Sequence, residues 1–173
     1  MSAQLDRDLE SIQEARRAAE TARQAFLEFA DAPQETVDRV CAAMADAAEA
    51  AAERLGLLAH EDTGYGVPAH KTIKNRFAAR HVWESIRPIP TVGVIRRDAA
   101  RRVVEIAWPV GVVAALSPST NPTSTVIFKT LIAVKARNAV VHAPHPSAAR
   151  CCHEAAQLMA EAAEAAGAPA GLV

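Results

Sequence analysis

The chain has 173 residues, enough for one domain with a real core or a domain plus an appendage. Its formal net charge is −1, half its residues are hydrophobic and 4% are aromatic, so no overall basic field points to nucleic acid or an acidic membrane. No apolar run approaches about 18 residues, the length a membrane span needs. The charged start "MSAQLDRDLESIQ" lacks the apolar segment of a secretory signal.

Residues 5 to 30 read as a helix, because Leu5, Leu9, Ile12, Ala19, Ala22 and Phe26 recur at spacings of three, four or seven. "DAPQE" interrupts the pattern, with Asp31 a candidate cap and Pro33 near the first turn of the next helix. That helix is expected to run to about Leu58, with Val37, Val40, Met44, Ala48, Ala51 and Leu55 on one side. "HEDTGYGVP" reads as a loop by its Gly and Pro content. Residues 68 to 86 read as helical again, up to "RPIP".

The pattern then changes. "TVGVIRRDAARRVVEIAWP" reads as a hairpin with a polar turn near Asp98. "VGVVAAL" is apolar at every position, as a central parallel strand should be. A helix over 122–136, a strand "NAVVHA" and an Ala-rich helix over 147–166 follow. Strand, helix, strand, helix, wound right-handedly, is the start of a parallel sheet. The chain ends at "GAPAGLV" where another strand is expected. The expected fold is therefore α/β: N-terminal helices and a β-hairpin leading into an incomplete, Rossmann-like parallel sheet.

The loop in "ALSPSTNPTSTVIFKT", residues 115 to 130, has two prolines and no Gly. Asn121 suits an N-cap and Pro122 the first helical position. The amides of Thr123 and Ser124 would open the helix with partial positive charge. Ser117, Ser119, Thr120 and Thr123 add hydroxyls, and Pro118 and Pro122 stiffen the backbone. The loop would stand at the C-terminal edge of the first parallel strand, where ligands of open α/β sheets bind. It suits an uncharged, planar, amide-bearing group better than a wrapped pyrophosphate. An ordinary capped helix fits the same pattern. No G-x-G-x-x-G is present, and "VVHAPHP" offers no acid for a ribose hydroxyl.

"EDTGYG", "KTIKNRF", "VEIAWPVGVVAALSPSTNPTSTVIFKTLIAVKARNAVV" and "APHPSA" together resemble the N-terminal portion of CoA-acylating aldehyde dehydrogenases, most strongly over residues 61–146. That group includes acetaldehyde and sulfoacetaldehyde dehydrogenases and the aldehyde half of bifunctional aldehyde-alcohol dehydrogenases. Ser119 stands where Thr is common in the family. The resemblance implies oxidation of an aldehyde to acyl-CoA with NAD or NADP and CoA, through a Cys thioester. It implies that Pro118, Ser119, Thr120, Asn121, Pro122 and Thr123 line the nicotinamide end of the cofactor, and that Pro144 and His145 lie near its adenosine end. Asn121 is also a candidate contact to the substrate oxygen. The nucleophilic Cys is expected beyond Val173. The implied division is a helical region over 1–89, an oligomerisation-type hairpin over 90–108 and the first part of an NAD-binding domain over 109–173, with the catalytic domain absent. Within the hairpin region, residues 91–107 are the expected homo-oligomer contact. The alternatives are the front part of a bifunctional enzyme and a non-catalytic helical interaction or subunit-cap module.

Other residues invite chemistry without a supporting pattern. Cys151, Cys152 and His153, with His142 and His145 nearby, fit no zinc spacing, and adjacent helical residues point about 100° apart. No metal is expected, and Cys41, beside Val40 and Met44, reads as packing. The three cysteines form no disulfide framework, which leads to an expectation of a reduced, cytoplasmic protein. Arg96, Arg97, Arg101 and Arg102 flank the hairpin turn as solvated or interface charges. Lys71, Lys74 and Arg76 could meet CoA phosphates or face solvent, and Lys129 and Lys135 receive no role.

Overall fold

The computed structural model describes residues 7–173, so Leu5 of the expected first stripe lies outside the described residues. Helix α1 spans Arg7–Phe29. Its C-terminal half buries Ala22, Ala25 and Phe29, whereas Leu9 and Ile12 stay exposed. Helix α2 spans Gln34–Ala50 and helix α3 Ala52–Thr63. Pro33 is itself the residue that opens α2, through its carbonyl, which accepts from the amides of Thr36 and Val37.

The expected single helix to about Leu58 is thus two helices meeting at Ala51, and the second runs further, through "HEDT". No local breaker stands at Ala51. The bend is tertiary: it turns α3 onto α4, and buried Asn75 donates to the Ala52 carbonyl beside the joint (3.0 Å). The loop shrinks accordingly to residues 64–67. Gly64 ends α3 in the left-handed region, at φ 68°, which glycine adopts without steric cost.

Helix α4 (Pro68–Arg76) passes through a π-helical turn (Phe77–His81) into α5 (Val82–Ile86). Strand β1 (Gly93–Asp98) pairs antiparallel with β2 (Val103–Ala107) in the expected hairpin. The Asp98 carboxylate accepts from the Arg101 amide across the turn, 3.0 Å. Strand β3 (Val112–Ser117) leads into helix α6 (Pro122–Lys135), then strand β4 (Ala139–Pro144), a 3-10 turn (Pro146–Ala148) and helix α7 (Ala149–Ala165). Strands β3 and β4 are parallel, in register from Val112 opposite Ala139 to Ser117 opposite Pro144. Beyond them, the Val140 amide donates to the Leu172 carbonyl (2.9 Å), so the last residues run beside β4.

The core lies where α2, α6 and α7 meet, around Met44, Ile127, Leu131 and Met159. Strand β3 departs from expectation. Ala115 and Ser117 are buried, but Val112, Ala114 and Leu116 face outward, Leu116 at 69% exposure. An all-apolar strand is built for cover on both faces, and among the described residues one face of β3 has none.

Candidate functional site

The parallel register sets the geometry of the loop edge. Ser117 and Pro144 end their strands side by side, and the His145 amide donates to the Ser117 carbonyl, 2.9 Å. The two sequence-predicted segments, residues 118–123 and 144–145, therefore leave the sheet together at its C-terminal edge. Pro118, Thr120 and His145 are exposed, Ser119, Asn121 and Pro144 half-buried, and Pro122 and Thr123 buried. The Ser147 amide donates to Nδ1 of His145, 3.2 Å. In the neutral ring the proton therefore sits on Nε2.

Asn121 occupies the N-cap position of α6, but its side chain makes no cap bond. Its main-chain carbonyl accepts from the Thr125 amide (3.1 Å) and the Ser124 hydroxyl (3.4 Å). The side-chain Oδ1 accepts from Lys74 Nζ instead, at 2.8 Å. A charged donor from a neighbouring helix outcompetes a neutral amide of the same turn. Thr123 is also corrected in part. Its hydroxyl points inward and donates to Asn75 Oδ1 at 2.8 Å, so it presents no hydroxyl to a ligand. Its amide precedes the first helical bond, which Thr125 makes. Ser117 is buried at the base of the loop.

Helix α4 carries the loop. Lys71 is buried, and its Nζ donates to the Thr120 carbonyl, 3.1 Å. Burial, then the neighbouring Lys74 charge, lowers the pKa of Lys71 from the ordinary lysine value. Asn75, 1% exposed, ties the Ala52 carbonyl on α3 to Thr123 on α6. Lys71, Lys74 and Asn75 fall at helical spacing on one face. Of these, Asn75 lies within the "KTIKNRF" segment but received no role of its own from the sequence. Lys129 donates to the Leu116 carbonyl at 2.6 Å, and buried Lys135 meets Asp38 and the Arg87 carbonyl. An open, mostly apolar groove lined by Ile73, Phe77, Val82, Thr125 and Phe128 runs past Asn121.

The thiols are buried behind the loop edge, and Cys152 lines a groove together with Pro144. Cys41, Cys151 and Cys152 are all buried. Burial pushes the Cys41 thiol up to about 12, against a smaller opposing pull from Lys135. The Cys152 thiol beside it, then burial, raises Cys151. Cys41 and Cys151, raised in this way, are packing groups rather than nucleophiles, whereas the hydrogen bond from Cys151 holds the Cys152 thiol below its ordinary value against the opposing push of burial. Asp62 opens α7, accepting from the Cys151 amide (2.6 Å) and from Arg150 Nε (2.7 Å). Burial pushes its carboxyl up, and these two bonds together hold it below the usual range. Among the described residues no group of three or more His, Cys, Asp or Glu is placed to hold a metal, and no helix is long and apolar enough to cross a membrane.

Comparison with known proteins gives this geometry a context. The aldehyde dehydrogenase family model matches residues 8–173. The crystal structure of an acetylating aldehyde dehydrogenase from Geobacillus thermoglucosidasius is 57% identical with a TM-score of 0.94, over 96% of this chain and 37% of that one. The bifunctional aldehyde-alcohol dehydrogenase of Escherichia coli is 38% identical over 163 residues, which are 94% of this chain and 18% of its own length. The acylating sulfoacetaldehyde dehydrogenase of Cupriavidus necator is 42% identical over 94% of this chain and 35% of its own length. The chain thus spans well under half of each relative, and the matches fall on their N-terminal part. With the family match running almost from end to end and the parallel pair superposing on an acetylating member, the chain belongs to the aldehyde dehydrogenase family.

Proposed function

We propose that residues 118–123 and 144–145 form part of the nicotinamide cofactor site of an acylating aldehyde dehydrogenase, which oxidises an aldehyde to acyl-CoA with NAD or NADP and CoA. The observation that supports this most is the register of β3 and β4, which sets both segments on one sheet edge. The donor set fits the group. The exposed loop atoms are amides, hydroxyls and a carboxamide, matched to a neutral carboxamide ligand, and two ammonium groups below favour an anionic dinucleotide. When bound, the nicotinamide accepts hydride. In this reading the residues of this chain bind and orient. Pro118 and Pro122 keep the loop rigid, the Thr123 and Ser124 amides offer donors, and Asn121 presents its amide to the cofactor or to the substrate oxygen.

In this reading none of the three thiols present is the attacking one, since all three are buried. The exposed hairpin residues Val94, Ile106 and Trp108 serve as a subunit contact. The same edge serves equally in the aldehyde half of a bifunctional enzyme, since one such relative matches nearly the whole chain. The test is backbone amide NMR of the chain titrated with NAD and, separately, NADP. Shifts are expected at Thr120, Asn121, Thr123 and His145. No shift at millimolar cofactor, or shifts confined to α2 and α7, would overturn the reading.

A further inference from the structure

Two lysines three positions apart on α4 reach consecutive residues of the loop. Lys71 Nζ donates to the Thr120 carbonyl at 3.1 Å, and Lys74 Nζ donates to Asn121 Oδ1 at 2.8 Å. The described ion pairs engage other cations, among them Arg54, Arg80, Arg150 and Lys135. The lysines are thus directed at the loop, and α4 presents them there because Asn75 and Gly56 hold α4 against α3 and α6.

An ammonium has only donors, so the amide atom turned toward Lys74 has to be the oxygen. A carboxamide is planar, with oxygen and nitrogen on opposite sides of its axis. Fixing Oδ1 on α4 turns Nδ2 away from α4. The contact from Nδ2 to the Thr120 hydroxyl is long, 3.5 Å, and leaves the amide hydrogens available. A neutral partner in place of Lys74 would let the amide rotate and offer oxygen or nitrogen with little preference. The ammonium also draws electron density through the amide, which strengthens Nδ2–H as a donor.

We propose that Lys74 is a positioning residue: it locks the Asn121 amide with Nδ2–H facing the ligand, so that the loop selects a carbonyl oxygen, that of the nicotinamide carboxamide. The selection of ligand rests on the cofactor reading above. The orientation of the amide does not.

The experiment compares Lys74→Met, Lys74→Arg and Lys74→Glu in the whole chain. The probes are NADH, by fluorescence titration, and the Asn121 side-chain amide pair in NMR spectra, assigned by its loss in Asn121→Ser. Lys74 is exposed, so all three variants are expected to fold, and a melting curve for each checks this. Lys74→Met should bind NADH about tenfold more weakly, the scale of one well-oriented hydrogen bond. Lys74→Arg keeps the donor and should stay within about threefold of the unmodified chain. Lys74→Glu reverses the amide and should bind at least as weakly as Lys74→Met. The amide pair should move in the Met and Glu variants and hold in the Arg variant. An unmoved pair in Lys74→Met overturns the proposal. So does NADH affinity that survives Lys74→Met and Lys74→Glu but falls in Asn121→Ala. If the unmodified chain binds neither NADH nor NADPH, the cofactor reading falls with the ligand selection, while a moving amide pair still establishes the lock on Asn121.

Discussion

Two inward-facing side chains show how much single atoms decide here. Asn75 is 1% exposed and uses both ends of its amide, one toward Ala52 and one toward Thr123. Asn75→Ala leaves a buried carbonyl and a buried hydroxyl without their partner and should cost about 1–3 kcal/mol in urea unfolding. A loss below about 0.5 kcal/mol, within the range of neutral surface changes, would mean that the bridge contributes nothing. His142 on β4 is the second case. Thr130 gives its one proton to the Val126 carbonyl, so its oxygen accepts from Nε2 of His142 at 2.9 Å. Nδ1 is then a bare lone pair, buried and unpartnered. Burial, with a smaller push from Lys129, lowers this histidine to about 4 from 6.5. The unfolded chain takes the proton near pH 6.5, whereas the fold refuses it until about pH 4. Stability should therefore fall as pH drops through that window, by on the order of 3 kcal/mol from this group, and level off below it. Urea midpoints across the window should decline less for His142→Gln, and equal declines would sink the assignment.

At the scale of elements, the contact between α3 and α4 governs the loop. Gly56 lies where a Cβ would meet the Thr72 amide nitrogen at 2.9 Å and the Pro68 carbonyl at 3.2 Å. Both are backbone atoms, so α4 would have to move. Gly56→Ala gains helix propensity of about 1 kcal/mol, but overpacking costs about 1–3 kcal/mol, and the contact should win. The melting temperature should fall, and because Lys71 sits on α4, amide exchange at Thr120 should quicken. A more stable Gly56→Ala would show that the helices separate without cost. The hairpin, the parallel pair and α6 were legible because their signals are local: alternation, a polar turn, and Pro122 at a helix start. The joint at Ala51 was not, because an Ala-rich run continues a helix equally well on either side, and the bend depends on what α3 packs against.

At the scale of the molecule, the three most exposed large apolar side chains, Val110, Trp108 and Leu116, lie on consecutive segments of the chain. Val94, Ile106, Trp108, Val110 and Leu116 are all exposed, with Trp108 at 76% and Val110 at 85%. They belong to the hairpin, the segment after it and β3. Apolar groups gathered this way mark an interaction surface. The chain should self-associate at micromolar concentration, and Val110→Lys with Leu116→Lys should reduce that association without lowering the melting temperature. Sedimentation velocity decides, and a concentration-independent monomer would refute it.

The sequence by itself determined the hairpin, the parallel strand pair, the proline-flanked loop leading into α6, and the family resemblance, because each depends on residues close together in the chain. Only the tertiary structure decided how that loop is held. The N-cap expected of Asn121 required its side chain to bond its own turn, and a helix 47 positions away in sequence supplied a charged donor that took the oxygen first. Thr123 turned its hydroxyl inward for a similar reason, with Asn75 waiting 48 positions away. Local pattern identifies which groups can hydrogen-bond. The partner they take is set by which donor or acceptor the packing of α3, α4 and α6 brings closest, and by whether that partner carries charge.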